Sequence, residues 1–108
     1  MGGMECVFCR IVRGQLLAER IYEDEDIIVV PDIHPSAPVH LLFISKIHGE
    51  ELHKVEAGKF ERMMDKVREK IAELNVPYRV AINGNGATQV ADHLHIHLLG
   101  KISADKPV

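Results

Sequence analysis

Three histidines alternate with aliphatic residues in His93-Leu94-His95-Ile96-His97-Leu98-Leu99. Imidazole titrates near neutrality, binds metals and can act as a nucleophile. In an extended strand this alternation sets His93, His95 and His97 on one face and Leu94, Ile96 and Leu98 on the other. Seven histidines shuffled over 108 positions give such a run with odds of about 0.03. A merely solvated strand face would be served as well by Lys, Thr or Glu, so the pattern points to a site. Same-face neighbours are about 6.8 Å apart, which separates His93 from His97 by roughly 13.6 Å. Three ligands so spread do not converge on one zinc with bonds near 2.0–2.1 Å, whereas His93 can join ligands from elsewhere. The middle residue, His95, suits a neutral nucleophile, with one ring nitrogen held by a hydrogen bond and the other free. His40 and Gln89 are further donors available to an anionic oxygen. The turn Asn83-Gly84-Asn85-Gly86 is either a plain hairpin connection or a source of backbone N–H groups for phosphate.

Both cysteines lie in Cys6-Val7-Phe8-Cys9. This pair has three readings: two ligands of a structural zinc, a redox dithiol, or ordinary buried thiols. No βαβ pattern supports a thioredoxin-type dithiol, and one pair in a cytosolic chain makes a poor disulfide framework. A four-ligand zinc needs two more donors, for which His48 and His93 are available and His53 is a spare.

The elements that must hold these groups follow from periodicity. Residues 6–14 form a short helical turn, with Val7, Phe8 and Ile11 on its apolar side and Gly14 closing it. Residues 21–22 and 27–30 are short strands around an acidic turn, and 31–38, with three prolines, is an irregular loop. Residues 41–45 form a buried central strand. Phe60, Met63, Met64, Val67, Ile71 and Leu74 share one face of a long helix over about 57–74, which Asn75 and Pro77 stop. Strands at 79–82 and 93–99 complete an α+β layout, a mostly antiparallel five-stranded sheet with one long and one short helix.

The chain has 108 residues, 46% hydrophobic and 27% charged, and the size of one domain: a core over about 6–100 and a short tail from 101 to 108. Its net charge of −3 gives no basic field for nucleic acid. No apolar run reaches the roughly 18 residues of a membrane span, and the start lacks a secretory leader, so the expected compartment is the cytoplasm.

Taken together, these residues resemble the histidine-triad (HIT) family, and within it the Hint branch of nucleotide hydrolases. The resemblance spans about Cys6 to Gly100 and is carried by four segments: the opening Cys-Val-Phe-Cys-Arg-Ile-Val-Arg-Gly, Val30-Pro31-Asp32-Ile33, the stretch from Ala37-Pro38-Val39-His40 to Lys46-Ile47-His48, and Gln89 through Leu99. It implies that His95 is a nucleophile that becomes nucleotidylated, supported by His93, His97 and His40. It implies that Asp32 takes the ribose hydroxyls and that Val7, Phe8, Ile11 and Ile33 wall the base pocket. Asn83 and Gln89 would contact phosphate or orient the leaving group. It also implies a structural zinc, outside the chemistry, on Cys6, Cys9, His48 and His93, and a homodimer that joins two sheets.

The implied reaction is hydrolysis or transfer at the α-phosphorus of a purine nucleotide such as AMP or its phosphoramidates, with a neighbouring imidazole protonating the leaving group. Two positions depart from the family pattern. Val90 stands where phosphoramidases of this branch often carry Ser or Thr after the glutamine, and Asp92 where a large apolar residue commonly precedes the first triad histidine. Val90 removes a hydroxyl donor, and Asp92 is a turn cap or an orienting carboxylate. These departures keep a dinucleoside polyphosphate hydrolase or a nucleotidyltransferase as alternatives; a nucleotide-binding adaptor module with vestigial activity is a further reading, against which the intact His40, His93, His95 and His97 stand.

Overall fold

A computed structural model describes residues 6–84, 87 and 93–105. Helix α1 is Val7–Val12 and helix α2 is Ala57–Leu74. The strands are β1, Tyr22–Glu23; β2, Ile27–Pro31; β3, Val39–Ser45; β4, Tyr78–Ala81; and β5, His95–Gly100. They form one sheet in the order β1-β2-β3-β5-β4 with every neighbouring pair antiparallel. The layout is the expected α+β one, and α2 has the expected bounds.

The two faces of the sheet serve different purposes. Ile27, Val29, Leu41, Phe43, Ile96 and Leu98 point to α2 and close a core on its Met63 and Val67. Of the two methionines on the apolar face of α2, Met63 is 1% exposed and part of the core, while Met64 packs against its margin. The opposite face carries Ile28, Val30, Leu42 and Ile44, which pack against Phe8 of α1. Pairing of Leu42 with His97 and of Ile44 with His95 puts both imidazoles on this second face, under α1.

Both ends of α2 are fixed locally. The Glu56 carboxylate accepts from the backbone N–H groups of Gly58 and Lys59, and Asn75 takes the left-handed conformation that lets the chain turn away. Strand limits differ from expectation by one or two residues. Pro31 ends β2 instead of opening the loop, because β1 pairs only with Val29 and Ile28 and leaves the Pro31 side without a neighbour that needs its missing N–H. β5 begins at His95, not His93, although Leu94 still accepts from the Ser45 N–H and holds the preceding residues against β3.

Candidate active site and metal centre

Four histidines meet on the α1 side of β3 and β5, and hydrogen bonds fix which nitrogen of each carries the proton. The Nδ1–H of His95 donates to the His93 carbonyl at 2.8 Å, which leaves its Nε2 with a free lone pair. The Ser36 N–H donates to His40 Nδ1 at 3.0 Å, so the His40 proton sits on Nε2 and is given to His97 Nδ1 at 2.9 Å. His97 therefore keeps its own proton on Nε2, at the cleft. Asp32 supplies a carboxylate oxygen 3.4 Å from His40 Nε2, while its other oxygen accepts the His34 N–H. The result is an imidazole with one open nitrogen beside a donor with one outward N–H.

Burial disfavours the charged form of three of these rings. Desolvation lowers the pKa of His40, His93 and His97. For His97, the neighbouring His95 and His40 rings add to desolvation and push it down to about 4. Such a ring folds neutral but protonates when unfolded, so its contribution to stability is complete above its ordinary pKa of 6.5 and is lost as pH falls toward 4. Allowing for solvent at the half-buried ring, roughly 2 kcal/mol separates the two limits. Urea unfolding at pH 7.5 and 4.5 should show that much less acid destabilisation in His97→Asn than in the wild type. Equal losses in the two proteins would refute the assignment.

Beside His95 and His97 lies a cleft of about 460 Å³. Its walls include Val7, Phe8 and Ile11 from α1 and Asp32, Ile33 and Asn83 from the loops, all expected near a nucleotide. Phe8 does more than wall the cleft: it is 6% exposed and packs its ring on His95 with centroids 4.7 Å apart. The segment Leu16-Leu17-Ala18 also reaches the cleft, which periodicity does not predict; two leucines after Gly14 without strand alternation are the signal it leaves in the sequence. No Lys or Arg is among the described residues that line this space. Gln89, Val90 and Asp92, together with Asn85 and Gly86 of the glycine-rich turn, lie outside the described residues. His34 and His53 are exposed and belong to neither cluster.

The second cluster is Cys6, Cys9, His48 and His93. The His93 ring lies against the thiols, so it is the His93 carbonyl, rather than its imidazole, that holds the His95 ring. A tetrahedral zinc with bonds near 2.3 Å to sulfur and 2.0 Å to nitrogen requires donor separations of roughly 3.3–3.8 Å. Nδ1 of His93 lies 3.3 Å from Cys6 Sγ, 3.6 Å from Cys9 Sγ and 3.4 Å from His48 Nδ1, and Cys9 Sγ lies 3.4 Å from His48 Nδ1. His93 Nε2–H donates to the Ser45 carbonyl at 2.6 Å, which leaves the Nδ1 lone pair facing the other three donors. Burial raises the Cys9 thiol pKa, and its hydrogen bond with Cys6 raises it further; a cation among these donors would reverse that balance. The donor set fits zinc.

Comparison with known proteins bears on the same residues. The family model described as "Scavenger mRNA decapping enzyme C-term binding" matches residues 5–106. The adenosine 5′-monophosphoramidase HNT1 of Candida albicans is 34% identical over 89% of this chain and 70% of its own length. The chain belongs to the histidine-triad family. Among solved HIT proteins, a HIT family hydrolase from Legionella pneumophila superimposes with a TM-score of 0.83 at 31% identity, over 95% of this chain and 98% of that one. A zinc-bound histidine triad family protein from Mycobacterium smegmatis does so with a TM-score of 0.76 at 36% identity, over 97% and 81%. No helix among the described residues of this HIT chain is long and apolar enough to cross a membrane.

Proposed function

We propose that this HIT hydrolase cleaves purine nucleoside phosphoramidates through a nucleotide held covalently on His95. The observation that carries the proposal is the bond from His95 Nδ1–H to the His93 carbonyl, which frees Nε2 beside the cleft. His95 Nε2 attacks the α-phosphorus, a P–N bond forms to the imidazole, and the P–N bond to the leaving amine breaks. His97 Nε2–H donates to a phosphoryl oxygen. Burial and the neighbouring imidazoles push the His97 pKa down to about 4, so His97 acts as a neutral hydrogen-bond donor at pH 7 and, in this reading, the leaving amine takes its proton from solvent and not from the neighbouring imidazole that the resemblance implies. Water then attacks phosphorus and gives up a proton to solvent, the phosphoryl-imidazole bond breaks with its electron pair returning to His95 Nε2, and the nucleoside monophosphate leaves. Asp32 is assigned to the ribose hydroxyls, Val7, Phe8, Ile11 and Ile33 to the base, and Asn83 and Gln89 to the phosphate or leaving group.

The same reading assigns a structural zinc to Cys6, Cys9, His48 and His93. Four protein donors leave no open coordination position, so zinc would supply rigidity and no Lewis acid to the substrate. The reading also includes a homodimer and a cytoplasmic location; light scattering of the purified chain tests the former.

Dinucleoside polyphosphate cleavage is the competing activity. Each added phosphate brings negative charge, and the described walls hold no Lys or Arg to meet it. Side-by-side assays should therefore favour an adenosine phosphoramidate over a diadenosine polyphosphate by roughly tenfold or more in kcat/KM, the value of one charge-assisted contact. A reversed preference would shift the substrate assignment while leaving His95 in place.

A further inference from the structure

A second buried polar group lies beneath the Cys6/Cys9/His48/His93 cluster, away from the cleft. Lys59 is 6% exposed, an unusual position for a lysine. It also stands in the first turn of α2, where the helix dipole disfavours a cation. Its ammonium donates to Ser45 Oγ at 2.9 Å and to the Glu50 carboxylate. Ser45, fully buried at the end of β3, is the hub. Its hydroxyl accepts from Lys59 and from the Ile47 N–H and donates to Glu50, which uses its whole hydrogen-bonding capacity. Its carbonyl is the acceptor that orients the His93 ring.

The connections converge on two of the four metal donors. Ser45 Oγ, Ile47 N–H and Glu50 tie down the turn that presents His48, and Gly49, at φ +91°, reverses the chain directly after it. The Ser45 carbonyl sets the rotation of His93. A buried ion pair is seldom worth more to stability than an apolar pair of the same size. Its placement under the donors suggests another use.

We propose that Lys59, Ser45 and Glu50 form a positioning network for the metal centre, fixing the His48 turn and the His93 ring at the separations zinc requires. The proposal rests on the reading that the cluster holds zinc. Lys59 is a positioning residue, since it contacts neither the donors nor the cleft.

The test is a zinc competition titration against a chromophoric chelator, paired with urea unfolding of the metal-free protein. Lys59→Met/Glu50→Gln removes the pair without stranding a charge, and Ser45→Ala removes the hub while keeping the carbonyl. The zinc dissociation constant should rise on the order of 10- to 100-fold in each, the range seen when outer partners of metal ligands are lost. Metal-free stability of the double variant should stay near wild type. Lys70→Met, which breaks the Lys70–Glu73 pair on the same helix, should leave zinc affinity unchanged. Wild-type zinc affinity in both network variants would overturn the proposal and leave the pair a purely structural contact. A wild-type protein that takes up no zinc would overturn the reading of the cluster itself. If the double variant does not fold, the zinc affinity of Ser45→Ala alone decides between the two roles.

Discussion

His95→Asn should lose turnover on the order of 10⁴-fold or more and should never yield a nucleotidylated protein by intact mass spectrometry. The magnitude follows from removal of a nucleophile, which elsewhere costs about as much as removing the whole catalytic unit. Asparagine is preferable to alanine here. His95 is 3% exposed and fills the space against Phe8, so a small residue would leave a cavity and mix lost packing with lost chemistry. An asparagine amide can still donate toward the His93 carbonyl while presenting no nitrogen nucleophile. The cleft walls stay in place, so AMP affinity should move by only a few-fold.

That contrast separates an enzyme from a binding module. A pure binder needs no buried imidazole with its Nδ1 proton held by a backbone carbonyl. If His95→Asn turned over substrate at the wild-type rate, or if wild-type protein mixed with substrate gave an adduct on another residue, the covalent scheme would fall. The neighbouring donors predict a graded series. His97→Asn removes one outward N–H from the cleft and should cost about 10²- to 10³-fold, as single oxyanion donors do. The milder loss reflects stabilisation of charge rather than loss of the bond-forming atom.

Much of this site was legible because its key residues are repetitive and local. Alternation in β5 puts His95 and His97 on one face whatever the rest of the chain does, and the apolar face of α2 gives that helix its limits. Lys59 was visible in the same pattern: it lies four residues before Met63, hence on the buried face, yet its charge makes it look like a surface residue. Non-local partners were not legible. No local pattern inserts β5 between β3 and β4, and that insertion brings His40 within 2.9 Å of His97. The tautomers depend on backbone groups of Ser36, His93 and Ser45, which periodicity does not place. The sequence also suggests an imidazole flank for His95, whereas a carbonyl and a ring turned toward the cysteines are what the fold provides on the His93 side.

Removing zinc should lower stability more than any single side-chain change away from the core. Cys6 caps the start of α1 and Cys9 lies on it, His48 is in the turn after β3, and His93 is two residues before β5, with sequence separations of 39 residues for Cys9–His48 and 87 for Cys6–His93. A metal there would pin α1 to the paired ends of β3 and β5, a junction that the hydrogen bonds of the sheet do not make. α1 has only six residues, too few to be stable by itself, and Phe8 is its one buried anchor. With free zinc a thousandfold above its dissociation constant, linkage gives about 4 kcal/mol, or roughly 15–30 °C in Tm for a domain of this size. Calorimetry with and without chelator should show that difference in the wild type and none in Cys9→Ser, which should match the chelated wild type. Activity should fall with the metal although no step passes through it. Releasing α1 withdraws Phe8 from His95, and freeing the His93 ring loosens the carbonyl that holds His95 Nδ1–H. A chelated protein with unchanged Tm would remove zinc from the fold. One that lost stability but kept full turnover would show that the His95 proton is held without help from the metal centre.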